Sequence, residues 1–208
     1  PVLYADTKDY HNFAPDWPWV RTGYLDKIGM DMPETIDEFY EMLVAFKHQD
    51  MNEDGDANNE IPLSCQSWSH LFRFGQMFGS RVAGDGFNPN ADGEIEYHFI
   101  NDRFKESLIF LNKLYKEGLL DSEFSTMKSD ILRTKISNGI VCAFVGYAHG
   151  NPALIQAGIT DNEDRFLYLP VLENSYGERE WVGSHGLGTY PLGITKDCKD
   201  PELAINWI

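Results

Sequence analysis

The sequence predicts a mixed α/β chain, with an α+β arrangement as the nearest variant. Three observations predict it. Extended and helical signals alternate along the chain; helix starts carry capping residues; and the apolar run I-V-C-A-F-V over residues 140–145 has the composition of a strand buried on both faces. With 208 residues, 42% of them hydrophobic and 13% aromatic, the chain has material for one substantial core or two small ones.

The elements follow in order. After an aromatic opening, Trp17 to Arg21 is expected as a strand, then a short helix over Tyr24 to Ile28 that Gly29 ends. T-I-D-E from Thr35 is a capping box, with Thr35 as N-cap and Glu38 at the third helical position. The helix it opens carries Ile36, Phe39, Tyr40, Leu43, Val44 and Phe46 at helical spacing. A helical stretch is expected from Trp68 to Phe78. The turn-rich G-D-G-F-N-P-N-A-D-G then leads into strand-like E-I-E-Y-H-F. Asn101 caps the next helix, whose expected buried stripe is Phe104, Leu108, Leu111, Leu114 and Tyr115 and whose end is Gly118. A helix over Met127 to Ser137 precedes the apolar strand. F-L-Y-L-P and G-L-G-T-Y-P-L-G-I-T are further strand candidates, and Asp200 with Pro201 starts a last helix. Phe39, Phe46, Phe104, Phe110 and Leu111 are assigned to the core.

The loop between the second helix and the next extended segment is the most informative stretch. D-M-N-E-D-G-D-A-N-N-E-I-P, residues 50–62, puts side-chain oxygens at Asp50, Asn52, Asp54, Asp56 and Asn58, with Gly55 at the sharp turn and a carboxylate at Glu60. A hard cation such as Ca²⁺ takes about 6–8 oxygen ligands, and such a loop offers them. The match to D-x-[DN]-x-[DN]-G holds through the glycine and then departs, because Ile61 stands where an EF-hand needs its bidentate Glu. The expectation is a structural Ca²⁺ site: Asp50, Asn52, Asp54 and Asn58 through side chains, Asp56 through its carbonyl and Glu60 through two oxygens. An acidic turn that binds nothing is the alternative, since Asp, Asn and Gly are also common turn formers.

Net charge of −16 argues against nucleic acid and against anionic membrane surfaces as partners. No apolar run approaches the ~20 residues of a membrane span, and no signal peptide is visible. Three cysteines, Cys65, Cys142 and Cys198, show no metal-ligand spacing and imply no disulfide framework. The chain reads as a segment cut at both ends from a larger protein, because it opens in a strand-like P-V-L-Y and stops within its last helix.

Five blocks then occur in a telling order: W-V-R-T-G-Y-L-D-K-I-G-M-D-M-P-E-T-I-D-E-F; K-H-Q-D-M-N-E-D-G-D-A-N-N-E-I-P-L-S; S-W-S-H-L-F-R-F-G-Q-M-F-G; F-K-E-S-L-I-F-L-N-K-L-Y-K-E-G-L-L-D-S-E-F; and N-G-I-V-C-A-F-V-G-Y. Together, from about Trp19 to Ile208, they resemble the extracellular solute-binding proteins of family 1, the substrate-capturing lipoproteins of ABC importers in Gram-positive bacteria. The resemblance implies a two-lobe receptor of the periplasmic-binding-protein type II, with residues 1–208 forming one α/β lobe, mainly the C-terminal one. It also implies an oligosaccharide or similar solute as ligand, ABC permease subunits as partners, and a lipid anchor outside this segment. Relatives carry a structural calcium in a loop ending E-I-P; here one extra residue precedes E-I-P, which leaves the shares of Asn58, Asn59 and Glu60 open.

Sugar recognition needs flat aromatic faces and a few placed polar groups. Trp68 follows the extended I-P-L-S just before a helix, where strand ends meet a cleft in open α/β sheets. The resemblance points to it too, and to Tyr147, which follows the apolar strand and its glycine. His149 lies beside Tyr147 and could bond a hydroxyl, although a lone histidine is more often a satisfied structural residue. Alternation puts Trp17, Trp19 and Arg21 on one face of the first strand, either cleft-lining or packed in the core. Trp181 and His185, in E-W-V-G-S-H-G, are the last candidates, on a polar loop.

A secreted carbohydrate-active enzyme is the rival reading, since 33 acidic residues could include a catalytic pair. No G-x-S-x-G, H-E-x-x-H or P-loop is present. A Ca²⁺-dependent interaction module is the third, disfavoured because the loop occurs once.

Overall fold

The structure, a computed structural model, describes residues 17–82, 86–90, 92–146, 166–179, 194 and 198–206. The chain divides into two units: Tyr10–Gly183, and Pro1–Asp9 with Ser184–Ile208. In the smaller unit the described element is a helix at Pro201–Asn206, opened by the Asp200 carboxylate, which accepts from the Leu203 N–H at 2.9 Å. Numbered in chain order it is α6. The candidate strand G-L-G-T-Y-P-L-G-I-T lies outside the described residues, apart from the lone position Ile194.

The larger unit is mixed α/β. A four-stranded sheet has the order β2 (Ile61–Cys65), β5 (Val141–Gly146), β1 (Trp17–Arg21), β6 (Phe166–Tyr168). β2 runs parallel to β5, with Leu63 opposite Ala143, while β1 is antiparallel to both its neighbours, with Trp19 opposite Phe144 and Tyr168. Two helices precede β2: α1 (Thr22–Ile28) and α2 (Ile36–Lys47). Between β2 and β5 come a 3-10 segment at Trp68–Arg73, α3 (Phe74–Met77), a hairpin of β3 (Phe87–Pro89) and β4 (Ile95–Tyr97), then α4 (Asp102–Lys116) and α5 (Ser129–Ser137).

Local chemistry accounts for the helix ends. Thr35 Oγ1 accepts from the Glu38 N–H at 3.1 Å while the Glu38 carboxylate takes the Thr35 N–H, the reciprocal box that the spacing predicts. Gly29 closes α1 at φ +66°, a left-handed position where a Cβ is costly. Asn101 Oδ1 accepts from the Phe104 N–H at 2.8 Å to open α4.

The sheet separates two apolar layers. Val20, Leu63, Cys65, Ala143 and Val145 face the larger one, filled from α2 by Phe39, Met42, Leu43 and Phe46 and from α4 by Leu111 and Leu114. On the other face Trp19, Phe144 and Phe166 pack with Leu132 and Ile136 of α5. β5 is buried along its whole length, as its apolar composition demands. One expectation fails: Leu108 and Tyr115 of α4 stay 42% and 46% exposed. Phe104, Leu111 and Leu114 already fill the buried stripe, and Leu108 and Tyr115, seven residues apart, line its edge.

Candidate functional site

The two parallel strands end side by side, which brings the chain segments after Cys65 and Gly146 together. The Gln66 N–H donates to the Val145 carbonyl at 2.8 Å, and Gln66 Nε2 reaches Ser129 Oγ of α5 at 3.0 Å. A Cβ on Gly146 would come within 2.8 Å of the Gln66 Cβ, so only glycine permits this approach. Trp19 Nε1 donates to the Gly146 carbonyl at 3.2 Å from the neighbouring strand.

Trp68 stands just beyond this junction and is 50% exposed. Its ring meets Phe72 edge-on at 5.2 Å and forms one wall of a groove of about 510 Å³. Leu108 and Tyr115 of α4, with Leu120 and Phe124, complete its lining, and Asn112 and Ser125 supply polar groups. An open trough with aromatic walls and a few polar atoms suits a neutral, hydroxyl-rich ligand. The α4 wall was missed in the sequence because both residues fit a helical stripe. The clue was the stripe's width, five apolar positions where three fill the core.

The other candidates divide. Trp19 lies in the core, 3.6 Å from the Tyr168 ring centroid and stacked on Phe144 at 6.1 Å. Arg21 is buried too; its Nη1 donates to the Tyr24 hydroxyl at 3.0 Å, and that hydroxyl donates to the Gly139 carbonyl at 2.6 Å. Both side chains are committed to packing, the second of the two alternatives that the alternation left open. Trp17 is the first residue of β1, paired with Gly146; its side chain, like Tyr147, His149, Trp181 and His185, lies outside the described residues.

The oxygen-rich loop forms a knot of short bonds. Asp50 Oδ1 and Oδ2 accept from the N–H groups of Asp54 (3.1 Å) and Gly55 (2.8 Å). Asp54 accepts from the Asp56 N–H and from the side chains of Asn52 and Asn59, and Asp56 accepts from the Asn58 N–H. Hydrogen bonds from Asn59, then the Asp56 backbone, then Asn52 hold the Asp54 carboxyl below its usual value. Positive φ at Glu53 (61°) and Gly55 (93°) curls the chain. Lys27 ties the loop to α1, donating to the Met51 carbonyl at 2.7 Å.

Two oxygens in this loop are orphaned. Glu60 is 7% exposed; its Oε1 accepts from the Met51 N–H at 2.8 Å, but its Oε2 is buried without a partner, and so is Asn59 Oδ1. A buried carboxylate oxygen left unpaired is costly, and a hard cation is one way to satisfy it. The all-oxygen donor set fits such a cation in type. Among the described residues no three His, Cys, Asp or Glu side chains converge as a metal cluster, so Asn side chains and backbone carbonyls would have to complete the shell.

Beyond the loop lies an ion network around the buried Asp121 that local sequence did not reveal. Lys135 Nζ on α5 donates to Asp121 at 2.8 Å and to Glu123 at 2.8 Å, and Ser64 Oγ of β2 donates to the same Asp121 Oδ2 at 2.8 Å. Burial works against the Lys135 charge, but its bonds to Asp121 and Glu123 prevail and hold the ammonium above its usual value. The partners are too far apart in sequence for a spacing rule to join them.

Comparison with known proteins places this arrangement. No family profile matches the chain. The chain is 29% identical over 209 residues to the fructooligosaccharide ABC transporter substrate-binding protein FusA of Streptococcus pneumoniae, covering 98% of this chain and 37% of FusA. It is 28% identical over 200 residues to lipoprotein LipO of Bacillus subtilis, covering 91% of this chain and 39% of LipO. The chain thus spans well under half the length of the curated relatives it matches. Among solved structures, S. pneumoniae FusA in complex with kestose superposes with a TM-score of 0.73 at 26% identity, over 88% of this chain and 36% of that one. Another FusA structure, of an EF-hand mutant in complex with fructo-nystose, gives the same score.

Proposed function

We propose, for a chain whose homologues are substrate-binding proteins of ABC transporters and whose fold is part of a lobe of such proteins, that it is the sugar-facing lobe of an oligosaccharide receptor. The observation that carries the reading is Trp68: an exposed indole at the end of the parallel strand pair, walling an aromatic groove. In this reading the ligand lies between this lobe and a second one, with Trp68 stacking on a sugar ring. Tyr147, directly after Gly146, would stack beside it, and His149, Trp181 and His185 are further contacts to test. Closure of the lobes over the ligand traps it, because the closed form gains contacts the open form lacks. The closed receptor is presented to ABC permease subunits at the outer surface of the cell, held there by a lipid anchor. Among the described residues no helix is long and apolar enough to cross a membrane.

The oxygen-rich loop is a structural Ca²⁺ site in this reading, with Asp50, Asn52, Asp54, Asp56, Asn58 and Glu60 as the donors. The orphaned Glu60 Oε2 and the EF-hand of a related receptor support it. Its service is to hold the loop that delivers the chain into β2, on which Trp68 depends. The receptor reading is tested by a thermal-shift screen of neutral oligosaccharides on the intact protein, paired with an assay for cleavage products. Stabilisation without products is expected; release of shorter sugars would replace the receptor by an enzyme.

A further inference from the structure

The β3–β4 hairpin is inside out. In the register Phe87 opposite Tyr97 and Pro89 opposite Ile95, all four side chains point to solvent, while Asn88 and Glu96 on the other face are half-buried. Phe87 is 58% and Tyr97 37% exposed. A soluble surface normally alternates the other way, and contiguous exposed apolar groups mark a site of interaction.

The hairpin's rings are not an isolated patch. Trp68 meets Phe72 at 5.2 Å, Phe72 meets Phe99 at 5.7 Å, Phe99 meets Tyr97 at 5.7 Å, and Tyr97 meets Phe87 at 4.7 Å. Each of these rings is at least partly exposed. An unbroken aromatic strip therefore leads from the Trp68 groove out to the hairpin, in steps comparable to one sugar residue. Buried His98 pins the hairpin: its Nε2 bonds the Asn88 carbonyl at 3.1 Å, and its backbone N–H donates to the Gly86 carbonyl at 2.8 Å. Such preorganisation spares a ligand the cost of ordering the surface.

We propose that Tyr97 and Phe87 form an outer subsite for a carbohydrate chain whose inner residues lie at Trp68. The inference rests on the receptor reading above and adds to it a ligand class, elongated oligosaccharides that outreach the groove. Continuity with the groove selects a glycan as occupant. The acidic side chains Asp92, Glu94 and Glu96 along the hairpin select a neutral one over a uronate or sulfated polymer. The chain's overall charge of −16 acts in the same direction.

The test is calorimetric titration of the intact protein with kestose, a trisaccharide, and with fructo-oligosaccharides of five or more units. The unaltered protein, Trp68→Ala, Phe87→Ala and Tyr97→Ala are compared, with thermal melts verifying that each variant folds. The expected result is that Phe87→Ala and Tyr97→Ala lose about tenfold in affinity for the long sugars, as for loss of an aromatic anchor, and keep that for kestose. Trp68→Ala weakens both. Unchanged affinity for long sugars in the hairpin variants, or equal loss at both lengths, overturns the outer subsite and leaves the receptor reading standing. Failure of the unaltered protein to bind these sugars and every other neutral oligosaccharide of the thermal-shift screen overturns both. A concentration-dependent association seen by sedimentation, lost in the hairpin variants while sugar affinity holds, reassigns the face to contact between copies and overturns the proposal.

Discussion

The cap of α4 sets the tautomer of a buried histidine: His98 Nδ1 lies 3.1 Å from Asn101 Nδ2. Asn101 Oδ1 is engaged by the Phe104 N–H, so its amide nitrogen must face the ring. Nδ1 is therefore an acceptor, and the ring proton sits on Nε2, donated to the Asn88 carbonyl. One neutral tautomer thus joins the helix start to the hairpin. Asn101→Ala removes the cap and the ring's partner together, and about 1–3 kcal/mol of stability is expected to go with it. Urea unfolding checks this, and a change within error would refute the linkage.

The Asp121–Lys135 pair gives a larger effect. The Asp121 side chain is 2% exposed, so Lys135→Met strands a buried carboxylate, at a cost of about 3–5 kcal/mol. Adding Asp121→Asn should recover part of the loss, because the stranded charge is then gone. A double-mutant cycle from denaturant melts measures the coupling, and additive losses would show that the two residues act independently.

Buried Cys142 and the Tyr176 hydroxyl are raised in the folded protein, and two further groups, Cys65 and Lys135, share in the response to alkali. Burial, and then the Asp121 charge, push the Cys65 thiol up to about 12 from 9.0, partly offset by Lys135. Lys135 itself is raised from 10.5. For both, the folded value exceeds the unfolded one. Their stabilisation is therefore complete below the unfolded values and disappears as pH rises from about 9 through the folded ones. Stability should fall progressively above pH 9 in the unaltered protein, and less steeply in Cys65→Ala. Cys65 and Cys142, both buried, should also resist a thiol reagent at pH 8 until denaturant is added. Rapid labelling of either in the native protein would contradict the packing.

Calcium should raise the melting temperature by an amount that grows with the logarithm of its concentration, since it binds the folded loop. Chelation should lower the melting point without unfolding the lobe, because the loop gives the larger core Met51 alone while α2, α4 and the sheet fill the rest. Asp50→Ala and Asp54→Ala should behave like chelation. Glu60→Gln should lose the calcium response while leaving the apo protein little changed, because the amide oxygen still accepts from the Met51 N–H and the orphaned charge is gone. A calorimetric titration without heat would remove the metal from the account.

Sequence spacing made much of the fold legible because its signals are local. The Thr35 box, the Gly29 and Asn101 caps, the apolar β5 and the α4 core positions each depend on residues within a turn or a strand. The site depends on what lies across the sheet, which spacing does not encode. Trp19 lies within a strand and Trp68 just beyond one, yet β6 and β5 cover the first and nothing described covers half of the second. Lys135 finds Asp121 only after α5 packs against β5. The loop was readable in composition, but the orphaned Glu60 oxygen emerges only from the burial of its carboxylate.

The central claim is that Trp68 is a sugar platform and not a structural residue. Calorimetric titration of the intact protein with a neutral trisaccharide, unaltered and as Trp68→Ala, tests it most directly. The account predicts measurable binding that falls at least about tenfold in the variant, while its melting temperature stays near that of the parent because half of the indole faces solvent. Equal affinity in the two proteins, or a loss matched by a collapse in stability, would contradict it.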